Sequence, residues 1–366
     1  MNIEGRQHIA ILCSRLDLPG GIERAVVNTA NLFAEHGHTV TLIILDSTKE
    51  SFYPVDRLVH CVNHPLTFGI TTDGNKLSRK IKLLNDIFTL KKLLKRYYPD
   101  IIICSEYPFV VGAILAGGRK DSLVFAWEHH HHAWLTKSRF WNKLSDYTYP
   151  KTDAVICLNN EEAAHYKKNC QVAVIPNFVS VQEDGIKNND NKTILSIGWL
   201  IPRKGIDFIM QAAKTVLAAN PDWTWKLIGD GEMKGAVMDF ISSEKLEGRF
   251  VLQAPGSANI DDEYRNASFF VMASRFEAFP MVLLEALSHG LPCISFDCPS
   301  GPAEIIRHGE DGLIVEKENP VALAEAIEQL IDDNSLRQSM SEKAVINIRR
   351  YAPDIVYGQW ADLFNR

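Results

Sequence analysis

Short apolar runs, each followed by a turn and an amphipathic stretch, recur along the whole chain. In the first half they are HIAILCS (8–14), TVTLIIL (39–45), DIIICSE (100–106), SLVFAW (122–127), DAVICL (153–158) and VAVIP (172–176). In the second they are TILSIG (193–198), WTWKLIG (223–229), RFVLQA (249–254), SFFVMA (268–273), PCISF (292–296) and GLIV (312–315). Runs this short bury both faces only in a parallel sheet covered by helices, so the pattern predicts an α/β chain built of βα units. A length of 366 residues exceeds what one core usually serves. The polar stretch VSVQEDGIKNNDNK (179–192) reads as the linker between two domains. We therefore expect domains over 1–178 and 179–350, with a final helix in 351–366 that carries Trp360 and Phe364 on one face and packs back on the first domain. Ligands are expected at the carboxyl edges of both sheets, facing a cleft between domains.

Composition removes several functional classes. With 46% hydrophobic and 23% charged residues the chain is neither disordered nor fibrous. A formal net charge of -6 speaks against a nucleic-acid partner. No window reaches the ~18–20 apolar residues needed to span a bilayer. The opening MNIEGRQHIAILCS lacks a basic start and a cleavage site, so it reads as a first strand and points to the cytoplasm. Seven cysteines without CxxC spacing, among them Cys13, Cys104 and Cys157 in strand-like runs, read as buried free thiols.

SRFEAFPMVLLEALSHG (274–290) sets Glu277 and Glu285 into an apolar stretch. Pro280 suits the first helical position and Gly290 closes the helix, which leaves Glu277 in the loop before it and Glu285 inside it. The unbonded N–H groups and dipole of such a terminus favour an anion such as a diphosphate. Continued through GLPCISFDCPSGPAEIIRHGEDGLIVE, the segment resembles the donor-binding part of the family 4 glycosyltransferases, retaining enzymes of the GT-B fold with two Rossmann-like domains. The resemblance implies that Glu285 contacts the nucleotide ribose and that Glu277 lies near the transferred sugar. Backbone groups of Phe279, Pro280, Met281 and Val282 would approach the sugar and phosphates, Pro280 through its carbonyl alone.

The remaining motifs are weaker. In SIGWLIPRKGID (196–207) the cations Arg203 and Lys204 could neutralise a diphosphate without a metal. Lys204 matches the family pattern, whereas Trp199 stands where the family has an arginine. Gly20 and Gly21, in RLDLPGGIERAVVNTANLF, allow close approach to a phosphate and resemble the family's G-G-x-E turn. In WEHHHHAWL (127–135) the four histidines cannot all ligate one metal, because neighbouring side chains diverge, and no metal site is expected. The resemblance singles out His129 as the residue near the reacting sugar, with His131 and His132 as weaker acceptor contacts. No D-x-D signature is present, which favours a mechanism without metal or other cofactor. LSRKIKLLNDIFTLKKLLKRYYPD (77–100) is basic and amphipathic. It fits both a helix packed on the first sheet and a surface for anionic lipid.

The resemblance implies a retaining transferase that moves a hexose or N-acetylhexosamine from UDP-galactose, UDP-N-acetylgalactosamine or UDP-glucose. The acceptor would be a glycan or lipid-linked glycan of bacterial lipopolysaccharide or capsule synthesis. The rival readings are a sugar-binding protein without catalysis, a nucleotide-sugar epimerase and a phosphorylase.

Overall fold

The structure is a computed structural model that describes residues 5–45, 49–68, 76–132, 135–181, 191–257 and 259–365. The chain divides into two units, Met1–Asn177 together with Asp354–Arg366, and Phe178–Pro353. Most of the stretch read as a linker, 182–190, lies outside the described residues.

The first unit holds a seven-stranded sheet of β1 (His8–Cys13), β2 (Thr39–Ile44), β3 (Val59–Asn63), β4 (Ile101–Cys104), β5 (Leu123–Glu128), β6 (Ala154–Cys157) and β7 (Val172–Val174). Its order is β3-β2-β1-β4-β5-β6-β7, and the pairs are parallel. The central strands read as continuous aliphatics because both faces are covered: Ile9 to Leu12 and Ile101 to Cys104 have no exposed surface. At roughly 1.5–3 kcal/mol per large aliphatic side chain, these strands carry much of the unit's burial energy. The strand β3 was not anticipated. It is an edge strand in which only Val59 is buried, so VHCVN shows no apolar run.

The chain's last helix, Pro353–Phe364, belongs to this core. Trp360 meets the rings of Phe33 and Trp127 edge-on, each at 5.4 Å, and Phe364 lies 5.5 Å from Phe33.

The second unit holds β8 (Thr193–Ile197), β9 (Thr224–Ile228), β10 (Phe250–Gln253), β11 (Phe269–Met272), β12 (Cys293–Phe296) and β13 (Gly312–Val315). Their order is β10-β9-β8-β11-β12-β13, again parallel. Numbered within the unit this is 3-2-1-4-5-6, the doubly wound Rossmann order. Gly229 is required where β9 ends, since a Cβ there would stand 2.1 Å from the Gly198 carbonyl oxygen. The loops leaving β8 and β9 thus touch backbone to backbone.

Candidate active site

In the second unit the winding reverses between β8 and β11, which are direct neighbours with Phe269 opposite Ile194. Loops that diverge from such a reversal open a crevice at the strands' carboxyl ends, where open α/β sheets hold ligands. The loop after β8 carries Trp199, Arg203 and Lys204; the loop after β11 carries Ser274 to Pro280.

Three contacts lock these loops together. Gly205 has φ +65° and no room for a side chain, because a Cβ would fall 1.8 Å from the Ala273 carbonyl oxygen. The Arg275 N–H donates to the Arg203 carbonyl at 2.9 Å. The Arg275 guanidinium donates to the Pro202 carbonyl at 2.5 Å and grips both oxygens of Asp207 at 2.8 and 2.7 Å. That grip holds the Asp207 carboxyl below the usual carboxylate range. Arg203 lies over the Phe276 ring at 5.5 Å.

The turn Pro202–Lys204 then aims the lysine at Glu277. The Lys204 ammonium donates to Glu277 Oε1 at 2.5 Å, and the Ser274 hydroxyl donates to the same oxygen at 2.6 Å. Glu277 is buried and Lys204 half-buried, so both charges are largely removed from water and each depends on the other. Next to them, burial and then the Glu277 charge push the Cys298 thiol up to about 12, with Lys204 pulling the other way; the thiol is neutral. Gly301 closes this side, since a Cβ there would meet Pro280 Cδ at 2.8 Å and Glu277 Cβ at 3.2 Å.

Glu285 sits inside the helix Met281–Ser288, buried, and accepts from the Tyr264 hydroxyl at 2.8 Å. Tyr264 stacks on His289 at 5.0 Å, and His289 Nδ1 lies 2.8 Å from the Glu285 carbonyl oxygen. Pro280 is the N-cap, at φ -72° and ψ 109°, and not the first helical residue. Its carbonyl accepts from the Leu283 N–H at 3.1 Å and so closes the first turn. Phe279 is buried and turns its ring edge-on to Tyr351 at 5.5 Å. Met281 is buried and Val282 half-buried at a terminus whose first N–H groups have no partner within the helix.

The family pattern "Glycosyl transferases group 1" matches residues 180–345, and "Glycosyltransferase Family 4" matches residues 19–183. The chain is a GT-B glycosyltransferase of this family 4 and group 1 kind. The amylovoran biosynthesis glycosyltransferase AmsD of Erwinia amylovora is 29% identical over 98% of this chain and 99% of its own. A Campylobacter jejuni protein named GalNAc-alpha-(1->4)-GalNAc-alpha-(1->3)-diNAcBac-PP-undecaprenol alpha-1,4-N-acetyl-D-galactosaminyltransferase is 26% identical over 94% of each chain. Among solved structures, S. aureus TarM in complex with Fondaparinux, alpha-GlcNAc-glycerol and UDP superposes with a TM-score of 0.80 at 16% identity, covering 98% of this chain and 100% of that one.

The glycosyltransferase's other expected site residues lie in the first unit. Gly20 caps the helix Gly21–Glu35, and a Cβ on it would meet Glu23 Oε2 at 2.0 Å, so the Glu23 carboxylate folds over this terminus. His129 follows β5, buried, its ring 4.2 Å from Trp127. Among the described residues its Nε2 has no hydrogen-bond partner, and burial, with a smaller push from His130, drops its pKa to about 3. The ring is therefore neutral at pH 7. Beside it, Glu128 is buried and bonded to the Tyr149 hydroxyl, with its carboxyl raised by burial. His131 and His132, expected as weak acceptor contacts, both turn toward Glu162.

Ser274, Arg275, Asp207, Tyr264 and Gly301 were not anticipated as parts of the site. Ser274 carried a local signal, three residues before Glu277; Arg275 and Asp207 meet across 68 positions and carried none.

Proposed function

We propose that the second unit binds a UDP-sugar and that the enzyme transfers the hexose or N-acetylhexosamine, with retention, to a glycan acceptor held by the first unit. The observation that carries this reading is the buried Lys204–Glu277–Ser274 cluster beside a helix terminus at the switch between β8 and β11. Lys204, with Arg203, would face the diphosphate, and the N–H groups at 281–282 would complete its cradle. Glu285, oriented by Tyr264, would accept from the ribose. In the transfer the anomeric C–O bond to phosphate breaks and a C–O bond to the acceptor forms on the same face. The acceptor's proton passes to the departing phosphate oxygen. Glu277 is occupied by Lys204 and Ser274, which suits a group that positions the cation and not a nucleophile. His129, neutral and unbonded at Nε2, is the candidate contact in the first unit. TarM was solved with UDP, and the relatives' names place them in polysaccharide and undecaprenol-linked glycan synthesis, which supports a UDP donor and an envelope glycan acceptor.

Isothermal titration tests the donor reading. UDP is expected to bind with a chelator present as well as without, and Glu285→Ala to weaken it by ~1–3 kcal/mol through lost charged hydrogen bonds. Tight binding of GDP or ADP in place of UDP would refute the donor, and metal-dependent UDP binding would refute the metal-free cradle.

We further propose that the enzyme docks on an anionic membrane surface. Among the described residues no helix is long and apolar enough to cross a membrane. The helix Lys76–Tyr97, however, carries eight basic residues and one acidic one in a chain of net charge -6. Leu83, Leu90, Leu93 and Leu94 face the core, while Leu77, Ile81, Leu84 and Phe88 are 52–66% exposed. At 100° per residue these four form one stripe, continued by exposed Lys91, Lys92 and Lys95. Binding to phosphatidylglycerol vesicles is expected to exceed binding to phosphatidylcholine alone and to fall with salt. Leu84→Ser with Phe88→Ser should weaken it roughly tenfold or more. Equal binding to both vesicle types, or vesicle binding unchanged in the variant, would overturn the proposal.

A further inference from the structure

We propose that the first unit contains a divalent-metal site of the zinc class, formed by His131, His132 and Glu162. His131 Nε2, His132 Nδ1 and a Glu162 oxygen lie within 4.8 Å of one another. Two imidazoles and a carboxylate are a donor set that zinc, cobalt and nickel take readily.

The separations fit a metal better than they fit hydrogen bonds. A charged imidazole–carboxylate hydrogen bond closes to about 2.7–2.9 Å. Here His132 Nδ1 is 3.2 Å from each Glu162 oxygen, His131 Nε2 is 3.4 Å from Glu162 Oε1, and it is 3.5 Å from Glu161 Oε1. A tetrahedral ion with bonds of about 2.0–2.2 Å sets its ligand atoms ~3.3–3.5 Å apart. The His132–Glu162 and His131–Glu162 separations, 3.2 and 3.4 Å, lie near that spacing.

The surroundings orient the donors. Glu162 is buried in the first turn of the helix Asn160–Tyr166, its N–H bonded to Asn159 Oδ1 at 2.8 Å, and its Oε2 accepts from the His132 N–H at 3.0 Å. His132 stacks between His131 at 4.7 Å and His165 at 3.9 Å, the rings within 19° and 13° of parallel, so sharing one ion requires one of the two ligand imidazoles to turn out of the stack. A buried carboxylate with a second one beside it is a costly arrangement that a divalent ion relieves. Adjacent histidines were expected to diverge. The turn after β5 instead swings both onto a helix thirty residues further on. An ion there would tie the His129–His132 segment to the helix Asn160–Tyr166, fixing the loop that carries His129 and taking no part in the donor site.

The test uses the full chain, stripped with a chelator and dialysed. Zn2+ is titrated in competition with a chromophoric chelator, and Co2+ is followed by its visible absorption. The expected result is one tight equivalent, a tetrahedral Co2+ band and a higher Tm with Zn2+. His132→Ala and Glu162→Gln should each weaken the site by about 10–100-fold, while His60→Ala, at an exposed histidine, binds as the wild type does. His132→Ala leaves the Asn159 cap of the helix intact, so loss of binding in that folded variant does not reflect unfolding. Several weak equivalents unchanged by His132→Ala, or no stoichiometric binding, would overturn the proposal.

Discussion

Lys204→Met is expected to lower kcat for sugar transfer by about a hundred- to a thousandfold, the usual effect of removing one preorganised charge from a developing oxyanion. The effect should fall on kcat more than on KM, because the diphosphate's charge grows as the anomeric bond breaks. A second consequence follows from the ion pair itself. Glu277 is buried, and without the ammonium it keeps, among the described residues, the Ser274 hydroxyl at 2.6 Å. Breaking a buried pair from one side typically costs ~3–5 kcal/mol, since an unpaired charge remains. Urea denaturation should therefore show Lys204→Met markedly less stable than the wild type. Adding Glu277→Gln should restore much of that stability and none of the activity. Near-normal turnover in folded Lys204→Met would place the phosphate site elsewhere; recovery of turnover in the double variant would mean that the lysine acts only by neutralising Glu277.

How far the sequence revealed this site depends on the range of each interaction. The apolar runs are legible because strands buried on both faces leave no polar alternation to confuse them; β3 was missed because an edge strand with exposed His60 and Cys61 leaves no such run. Glu277 and Glu285 were legible through one continuous motif and the helix signal between them. What each carboxylate holds was not. Lys204 reaches Glu277 across 73 positions, and Tyr264 reaches Glu285 across 21. Glycines show the same limit: Gly205 is visible as a turn residue, but its reason is the Ala273 carbonyl of a distant strand end. Pro280 sits one position earlier than expected, for a local cause. A proline fits either the cap or the first turn, and sequence alone does not decide between them.

His129 gives the second large effect, because a histidine with a pKa near 3 must gain a proton when the chain unfolds in mild acid. Its folded pKa lies below the unfolded value of about 6.5, so its stabilising contribution is intact above pH ~6.5 and is lost progressively as pH falls toward 3. Between pH 7 and pH 5 this amounts to ~2 kcal/mol. The neighbouring Glu128 works in the opposite direction, its raised carboxyl costing stability at neutral pH and relieving that cost on acidification. A wild-type curve mixes both, together with His8, His38 and His165, whose burial also lowers their pKa values. Subtraction isolates the term. His129→Leu fills similar space, removes the unbonded Nε2 and leaves the other groups in place. The variant should be at least as stable as the wild type at pH 7 and should gain on it by ~2 kcal/mol at pH 5. Parallel urea midpoints at the two pH values would show that His129 takes up no extra proton on unfolding, which is incompatible with a neutral, buried ring beside β5.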